Sequence, residues 1–256
     1  MTDTLDGRVA LVTGAGRGIG REIAIGLAAS GARVALLART ETQLDEVAQT
    51  IQKSGGTAVK VPADLSDQQA WRAAVDETER LLGPVEILIN NAAVVAPLGP
   101  TQKLQPVDVQ AALTINVAAV VVLSGLALPG MLTGGWGRIV NISSGIAGHP
   151  AAMIGGNVYA ATKAALESHT INLAAELDGT GITVNAYRPG AVDTAMQAWI
   201  RSQSPDAIGH ALHDRFVSSH ASGELLSPDA SAARLLQRLT TAESGRIWSV
   251  SDPLEH

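Results

Sequence analysis

The feature that most constrains this chain is an alternation. Short runs dominated by apolar residues recur at 8–13, 34–38, 57–61, 85–89, 138–142, 182–186 and 246–250, separated by stretches of helical length. A strand with one wet face alternates polar and apolar residues, whereas a strand buried on both faces reads as a continuous apolar run. The intervening stretches carry helix punctuation. Thr40 with Gln43 and Ser66 with Gln69 have capping-box spacing, Gly31, Gly55-Gly56 and Gly83-Pro84 supply stops, and Trp71, Ala74, Val75, Thr78, Leu81 and Leu82 share one helical face. Further helices are predicted over 18–30, 158–177 and 228–239. Buried strands joined by helices make a parallel sheet covered on both sides. Residues 1–256 are therefore expected to form a single doubly wound α/β domain, with ligands bound where the strands end. The 195–227 segment, with weak periodicity, is predicted to be a mobile lid over the substrate.

Composition excludes several classes of function. With 46% hydrophobic and 16% charged residues the chain can fold, and with 3% aromatics it lacks the stacking platforms of a single-strand nucleic-acid binder. Its net charge of −6 repels phosphate backbones and anionic lipid, so neither nucleic acid nor membrane is expected as a partner. There is no cysteine, which removes disulfides and thiol chemistry, and the six histidines show no ligand spacing, so no metal is expected. The N-terminus lacks the basic start and apolar middle of a signal peptide, and the expected location is cytoplasmic. From 109 to 137 no residue is charged, and 117–128 is almost continuously aliphatic. Asn116, Pro129-Gly130 and Gly134-Gly135 interrupt this run, so a helix buried all round is expected rather than a membrane span.

After the first apolar run comes Thr13-Gly14-Ala15-Gly16-Arg17-Gly18-Ile19-Gly20. The spacing is G-x-x-x-G-x-G and not the G-x-G-x-x-G fingerprint, but the physical use is similar. Small residues let backbone N–H groups approach a pyrophosphate at a helix N-terminus. The same order of strand ends carries Asn90-Asn91-Ala92-Ala93, Ser143-Ser144, Tyr159-x3-Lys163 and Pro189-Gly190 with Thr194, while Asn116 lies inside the uncharged helix. Together these motifs, which run nearly end to end, resemble the short-chain dehydrogenase/reductase family. Ala93 stands where that family usually has glycine, and the loop from Ser144 to Tyr159 is slightly long.

The resemblance implies a Rossmann-like fold, a nicotinamide cofactor, and hydride transfer between it and a carbonyl or alcohol. Catalytic roles fall on Asn116, Ser144, Tyr159 and Lys163. A carbonyl oxygen grows more basic as hydride arrives, so an acid is needed. Tyr159 can supply it, with Lys163 one turn on to favour the phenolate by its charge. Ser144 is favoured over Ser143 as the donor that orients the substrate oxygen, and Asn116 would hold a water in a relay to the lysine. Cofactor contacts are expected from Gly14, Gly16, Arg17, Gly18, Ile19, Gly20, Arg39, Asp64, Leu65, Asn91, Ala92, Tyr159, Lys163, Pro189, Gly190, Val192 and Thr194. The second strand ends Leu37-Ala38-Arg39, without the acid that binds a ribose 2′-hydroxyl, so Arg39 and Arg17 point to NADP(H), with NAD the alternative.

The substrate is expected to be an apolar ketone or aldehyde, reduced in the cell. It would be held by residues of 94–98, 146–156 and 195–227, among them His149, Met153, Met196 and Trp199. An acyl-carrier-protein-type 3-ketoacyl reductase is the alternative, for which Arg201 and Arg215 could form a docking patch. A non-catalytic NADP(H)-binding redox sensor and an epimerase or dehydratase are rivals of other kinds. The all-round aliphatic helix, and Ala164, Ala165, Leu166, Ala174 and Ala175 on the Tyr159 helix, suggest a homodimer or homotetramer.

Overall fold

A computed structural model describes residues 5–253. The N-terminal reading of the sequence therefore lies partly outside the described residues. Among the described residues, seven strands form one parallel sheet: β1 (Val9–Thr13), β2 (Arg33–Ala38), β3 (Thr57–Pro62), β4 (Ile87–Asn90), β5 (Gly137–Ile142), β6 (Ile182–Arg188) and β7 (Ile247–Ser249). Their spatial order is β3-β2-β1-β4-β5-β6-β7. The order reverses between β1 and β4, and there the crossovers leave in opposite directions and open a crevice at the strand ends.

Helices α1 (Gly18–Ala29), α2 (Glu41–Lys53) and α10 (Pro228–Leu236) cover one face; α3 (Gln69–Leu82), α5 (Ala119–Gly134) and α6 (Asn157–Glu176) cover the other. The first core joins Val12, Leu36 and Ile89 to Ile23, Leu44 and Leu235; the second joins Leu11, Leu37 and Leu88 to Trp71, Leu123 and Leu173. Alternate residues of the same strands thus feed opposite cores, which is why the apolar runs are continuous. A Cβ on Gly26 would lie 2.2 Å from Leu236 Cδ1, so glycine sets the close crossing of α1 and α10.

Four expectations change. Neither capping box forms. Thr40 makes no side-chain cap on α2, and the turn before α3 is built instead by Asp64 and Asp67, whose carboxylates accept from the N–H groups of Ser66 and Gln69 at 2.9 Å each. Asp competes well because its two oxygens reach an N–H two residues on. The uncharged stretch is not one regular helix. α4 (Pro106–Leu113) passes into a π-turn over Thr114–Ala118 before α5 begins. Nor is it buried all round. Ala119, Leu123, Ala127 and Met131 pack inward, while Val121 is 41% and Leu132 49% exposed, although the 106–134 run is long and apolar enough to cross a bilayer. Finally, the 195–227 segment is helical, with α7 (Ala195–Arg201), α8 (Pro205–Ile208) and α9 (His210–Ala221). Its few inward residues, Ile200, Ile208 and Leu212, join Val95, Ile146 and Met153 in a third, smaller apolar cluster above the sheet edge.

Candidate active site

A groove of about 420 Å³ follows the C-terminal ends of β1, β2 and β4. Two loops at its floor are stitched together. Thr13 Oγ1 donates to the Ile89 carbonyl at 3.3 Å and accepts from the N–H groups of Asn91 (2.9 Å) and Ala92 (3.0 Å). The Asn91 side-chain amide returns hydrogen bonds to the carbonyls of Thr13 (2.9 Å) and Gly14 (3.3 Å). This leaves no room at Gly14. Its φ is +65°, and a Cβ there would lie 2.7 Å from Asn91 Nδ2. Gly14, Gly16, Arg17, Gly18 and Ile19 line the groove. Gly20 does not; it lies beneath, where a Cβ would come within 2.4 Å of the Gly14 carbonyl oxygen, so it serves packing. Helix α1 starts at Gly18 with no side-chain cap, and its first-turn N–H groups and positive dipole end open onto the groove. This cradle fits a pyrophosphate.

Farther along, Arg39, Asp64, Leu65 and Ala92 line the same groove. Arg39 Nη1 stands 3.7 Å from Asp64 Oδ2. Partial burial pushes the Asp64 carboxyl up, but hydrogen bonds from Ser66 and the Arg39 charge outweigh it and hold the group below its ordinary range. Arg17 has no carboxylate partner among the described residues. Past the sheet edge, Pro189 and Thr194 complete the wall. Gly190 opens instead onto a second cavity, and Val192 is buried and bridged to Leu226.

At the far end of the groove stand Tyr159 and Lys163, both on α6. Burial pushes the Tyr159 pKa up to about 12, opposed in part by the Ser144 hydroxyl beside the phenol. Lys163 is 2% exposed, and burial lowers its pKa to about 8. Its Nζ donates to the Ile142 carbonyl at 2.7 Å and sits 5.6 Å from the Tyr159 ring centroid. Burial is the largest influence on the phenol, and the Lys163 charge lies over the ring rather than at the hydroxyl. Tyr159 is held as an acid.

Of the two serines, only Ser144 meets Tyr159. Ser143 is 2% exposed and donates its hydroxyl to Glu167 Oε1 at 2.8 Å. Asn116 lies in the π-turn, fully buried. Its Oδ1 accepts from Val94 N–H (2.8 Å), and its Nδ2 donates to the Val94 carbonyl (2.8 Å) and to Thr162 Oγ1 (3.2 Å). That side-chain amide fastens the loop after β4 to α6. A buried amide must satisfy its own groups first.

One group was missed in the sequence. Arg188 holds Glu167 bidentately, Nε to Oε1 at 2.7 Å and Nη2 to Oε2 at 2.8 Å, directly behind Ser143. Glu167 falls one helical turn past Lys163 and Arg188 just precedes Pro189-Gly190. These positions were the available signal, but nothing in the sequence pairs them. Of the substrate-side residues, Met153 is buried in the third cluster, Met196 lines the groove, His149 lines the second cavity and Trp199 is 40% exposed.

A glycine cradle at a helix N-terminus, leading along a doubly wound sheet to a Tyr–Ser couple, defines a dinucleotide-dependent oxidoreductase. The short chain dehydrogenase family model matches residues 8–205. A short chain dehydrogenase of Pseudocercospora fijiensis (strain CIRAD86) is 36% identical over 76% of this chain, which spans 62% of that relative. L-xylulose reductase of Bos taurus is 38% identical, with 80% of each chain covered. Among solved structures, a short chain dehydrogenase from Burkholderia cenocepacia J2315 in complex with NADP is similar at a TM-score of 0.82 and 34% identity, covering 96% of this chain and 97% of that one. The chain belongs to the short-chain dehydrogenase/reductase family and is by membership an NAD(P)-dependent oxidoreductase.

Proposed function

We propose that the protein is an NADPH-dependent reductase of an apolar ketone or aldehyde, acting in the cytoplasm without a membrane or nucleic-acid partner. The observation that carries this reading is that Tyr159 and Lys163 line the end of the glycine-lined groove, with Ser144 beside the phenol. When bound, the nicotinamide dinucleotide supplies the hydride. Gly14, Gly16, Gly18 and the first turn of α1 hold its pyrophosphate, Asn91, Ala92, Pro189 and Thr194 hold its length, and Arg39 and Arg17 meet a 2′-phosphate. Ser144 orients the substrate oxygen, and Tyr159 gives it a proton. Lys163 contributes a positive charge one turn away, which grows in worth as the phenol loses its proton. Asn116 acts by holding the Val94 loop in place.

An apolar substrate agrees with the third cluster, against which Tyr159 and Met196 pack and whose Ile146 lines the second cavity. The acyl-carrier reading loses one of its two docking cations, since Arg201 faces Asp193 at 3.8 Å. The deciding experiment follows NADPH absorbance over a panel of ketones and aldehydes. Turnover of apolar members supports the reading. Tight NADPH binding with no turnover across the panel would replace it with a redox sensor.

A further inference from the structure

The second cavity, about 360 Å³, shares Ser144 with the candidate couple and lies between the loop after β5, the end of β6, and helices α7 and α9. Its charge is unusual for this protein. Two arginines and a histidine line it, Arg188, Arg215 and His149, and no Asp or Glu does, in a chain where acids outnumber Lys and Arg by 24 to 18. The two arginines are not equivalent. Arg188 is already matched by Glu167 and feels Asp252 as well, so it contributes a fixed wall and little net charge. A Cβ on Gly148 would lie 3.0 Å from both Arg188 Nη atoms, so the loop closes tightly over that guanidinium. Arg215, on α9, is exposed at the mouth of the cavity and has no carboxylate partner among the described residues. Between them the walls combine apolar Ile146, Ala152, Ala191 and Phe216 with polar Gln197, Ser219 and Ser249.

We propose that this cavity is the anionic subsite of the substrate: the enzyme reduces an apolar carbonyl compound whose other end is a carboxylate, with the carbonyl at Ser144 and Tyr159 and the carboxylate at Arg215. The inference rests on the assignment of Ser144 and Tyr159 as the reacting couple and narrows its substrate class. An apolar body fills the middle of the cavity, and a carboxylate there replaces its water by the guanidinium fork, which suits a planar anion. A neutral compound of the same shape gains the apolar contact but leaves Arg215 to water, without the ion pair.

The test uses 3-benzoylpropionic and 4-benzoylbutyric acids against their methyl esters, read as the acid-to-ester ratio of kcat/KM by NADPH consumption. For at least one chain length the acid should be favoured about tenfold or more, the size expected of a charge-assisted pair. That ratio should shrink as salt is raised. Arg215→Gln should lower the ratio about tenfold, and Arg215→Lys should keep part of it. Calorimetry with 4-phenylbutyrate, which has no carbonyl to reduce, reads the subsite without turnover. It should bind the wild type and bind Arg215→Gln at least about tenfold more weakly. An ester reduced as well as its acid at both lengths, or a ratio and a 4-phenylbutyrate affinity untouched by Arg215→Gln, would overturn the subsite. If no ketone of either kind is reduced, the reductase reading fails, and calorimetry still decides the subsite.

Discussion

Lys163 sits one turn from Tyr159 yet bonds past it, its Nζ donating to the Ile142 carbonyl at 2.7 Å while lying 5.6 Å from the centroid of the phenol ring. The ammonium is thus tethered to the end of β5 rather than to the hydroxyl. Its charge is costly where it sits, and its effect on the phenol is through space. Tyr159 is left protonated, which suits an acid for carbonyl reduction. Lys163, with a pKa of about 8, is the group that titrates near working pH.

Tyr159→Phe removes the proton donor and leaves the ring. Turnover should fall by about 10²–10⁴-fold, the usual worth of a positioned acid. The NADPH Kd, measured by fluorescence titration, should stay within about threefold, since the glycine cradle and not the hydroxyl holds the dinucleotide. A variant that keeps near wild-type kcat would remove Tyr159 from the chemistry.

In the free enzyme, kcat/KM for reduction should be level at lower pH and fall as pH rises through about 8, where Lys163 loses its charge. Tyr159 cannot cause that limb, because it stays protonated to about 12. A profile flat from pH 7 to pH 10 would mean that the lysine charge plays no part.

The same burial makes Lys163 a stability cost. Its folded pKa, about 8, lies below the ordinary 10.5, so below pH 8 both states are protonated and the folded one carries the full desolvation penalty. Between 8 and 10.5 the unfolded chain holds more protons, and this group's contribution to stability rises with pH. Lys163→Met should therefore be inactive and yet melt higher at pH 7, by about 2–4 °C for each kcal/mol recovered. The gap to wild type should close toward pH 10. Lower Tm for Lys163→Met at pH 7 would show that the Ile142 hydrogen bond outweighs the penalty.

The sheet was legible because a parallel strand buried on both faces leaves a mark that does not depend on its neighbours, and Val9–Thr13 or Ile182–Arg188 carry it. The cradle was legible because Gly14 and Gly18 hold positive φ at a fixed place after β1. Three other features depend on contacts far apart in sequence. Glu167 meets Arg188 across the α6–β6 crossover, Asn116 reaches back to Val94, and the helices of 195–227 are held by Ile200, Ile208 and Leu212 reaching Val95 and Met153. With so few inward residues, α7 to α9 leave only weak periodicity in the sequence. Such a lightly packed segment can still open over a substrate, and exchange of its amides against those of α6 would measure it.

Arg39 faces Asp64, so a 2′-phosphate must compete with that carboxylate for the guanidinium. The preference for NADPH should therefore be real but moderate. Arg39→Ala should narrow the ratio of kcat/KM for NADPH over NADH by about tenfold, as loss of one charge-assisted contact does. Raised salt should narrow it in the wild type as well. Wild-type enzyme that prefers NADH would reject the assignment of Arg39.

The last prediction concerns assembly. On α5, Val121, Gly125 and Leu132 face outward, and on α6 the residues Ala164, Ser168, Ile171 and Ala175 form an outward stripe at helical spacing. Leu166 and Ala174, expected on that stripe, pack inward instead. Ile171 is 50% and Leu132 49% exposed, and the small residues around them let two helices approach closely. Paired across a two-fold axis, α5 and α6 of two copies would cover each other, with the same patch used on both sides. Light scattering after gel filtration should give at least twice the 26.3 kDa chain mass at micromolar concentration. Ile171→Glu, which places like charges opposite each other at such an axis, should shift the protein toward monomer and lower its Tm. A stable wild-type monomer would show that this apolar face is tolerated in water and serves no self-association.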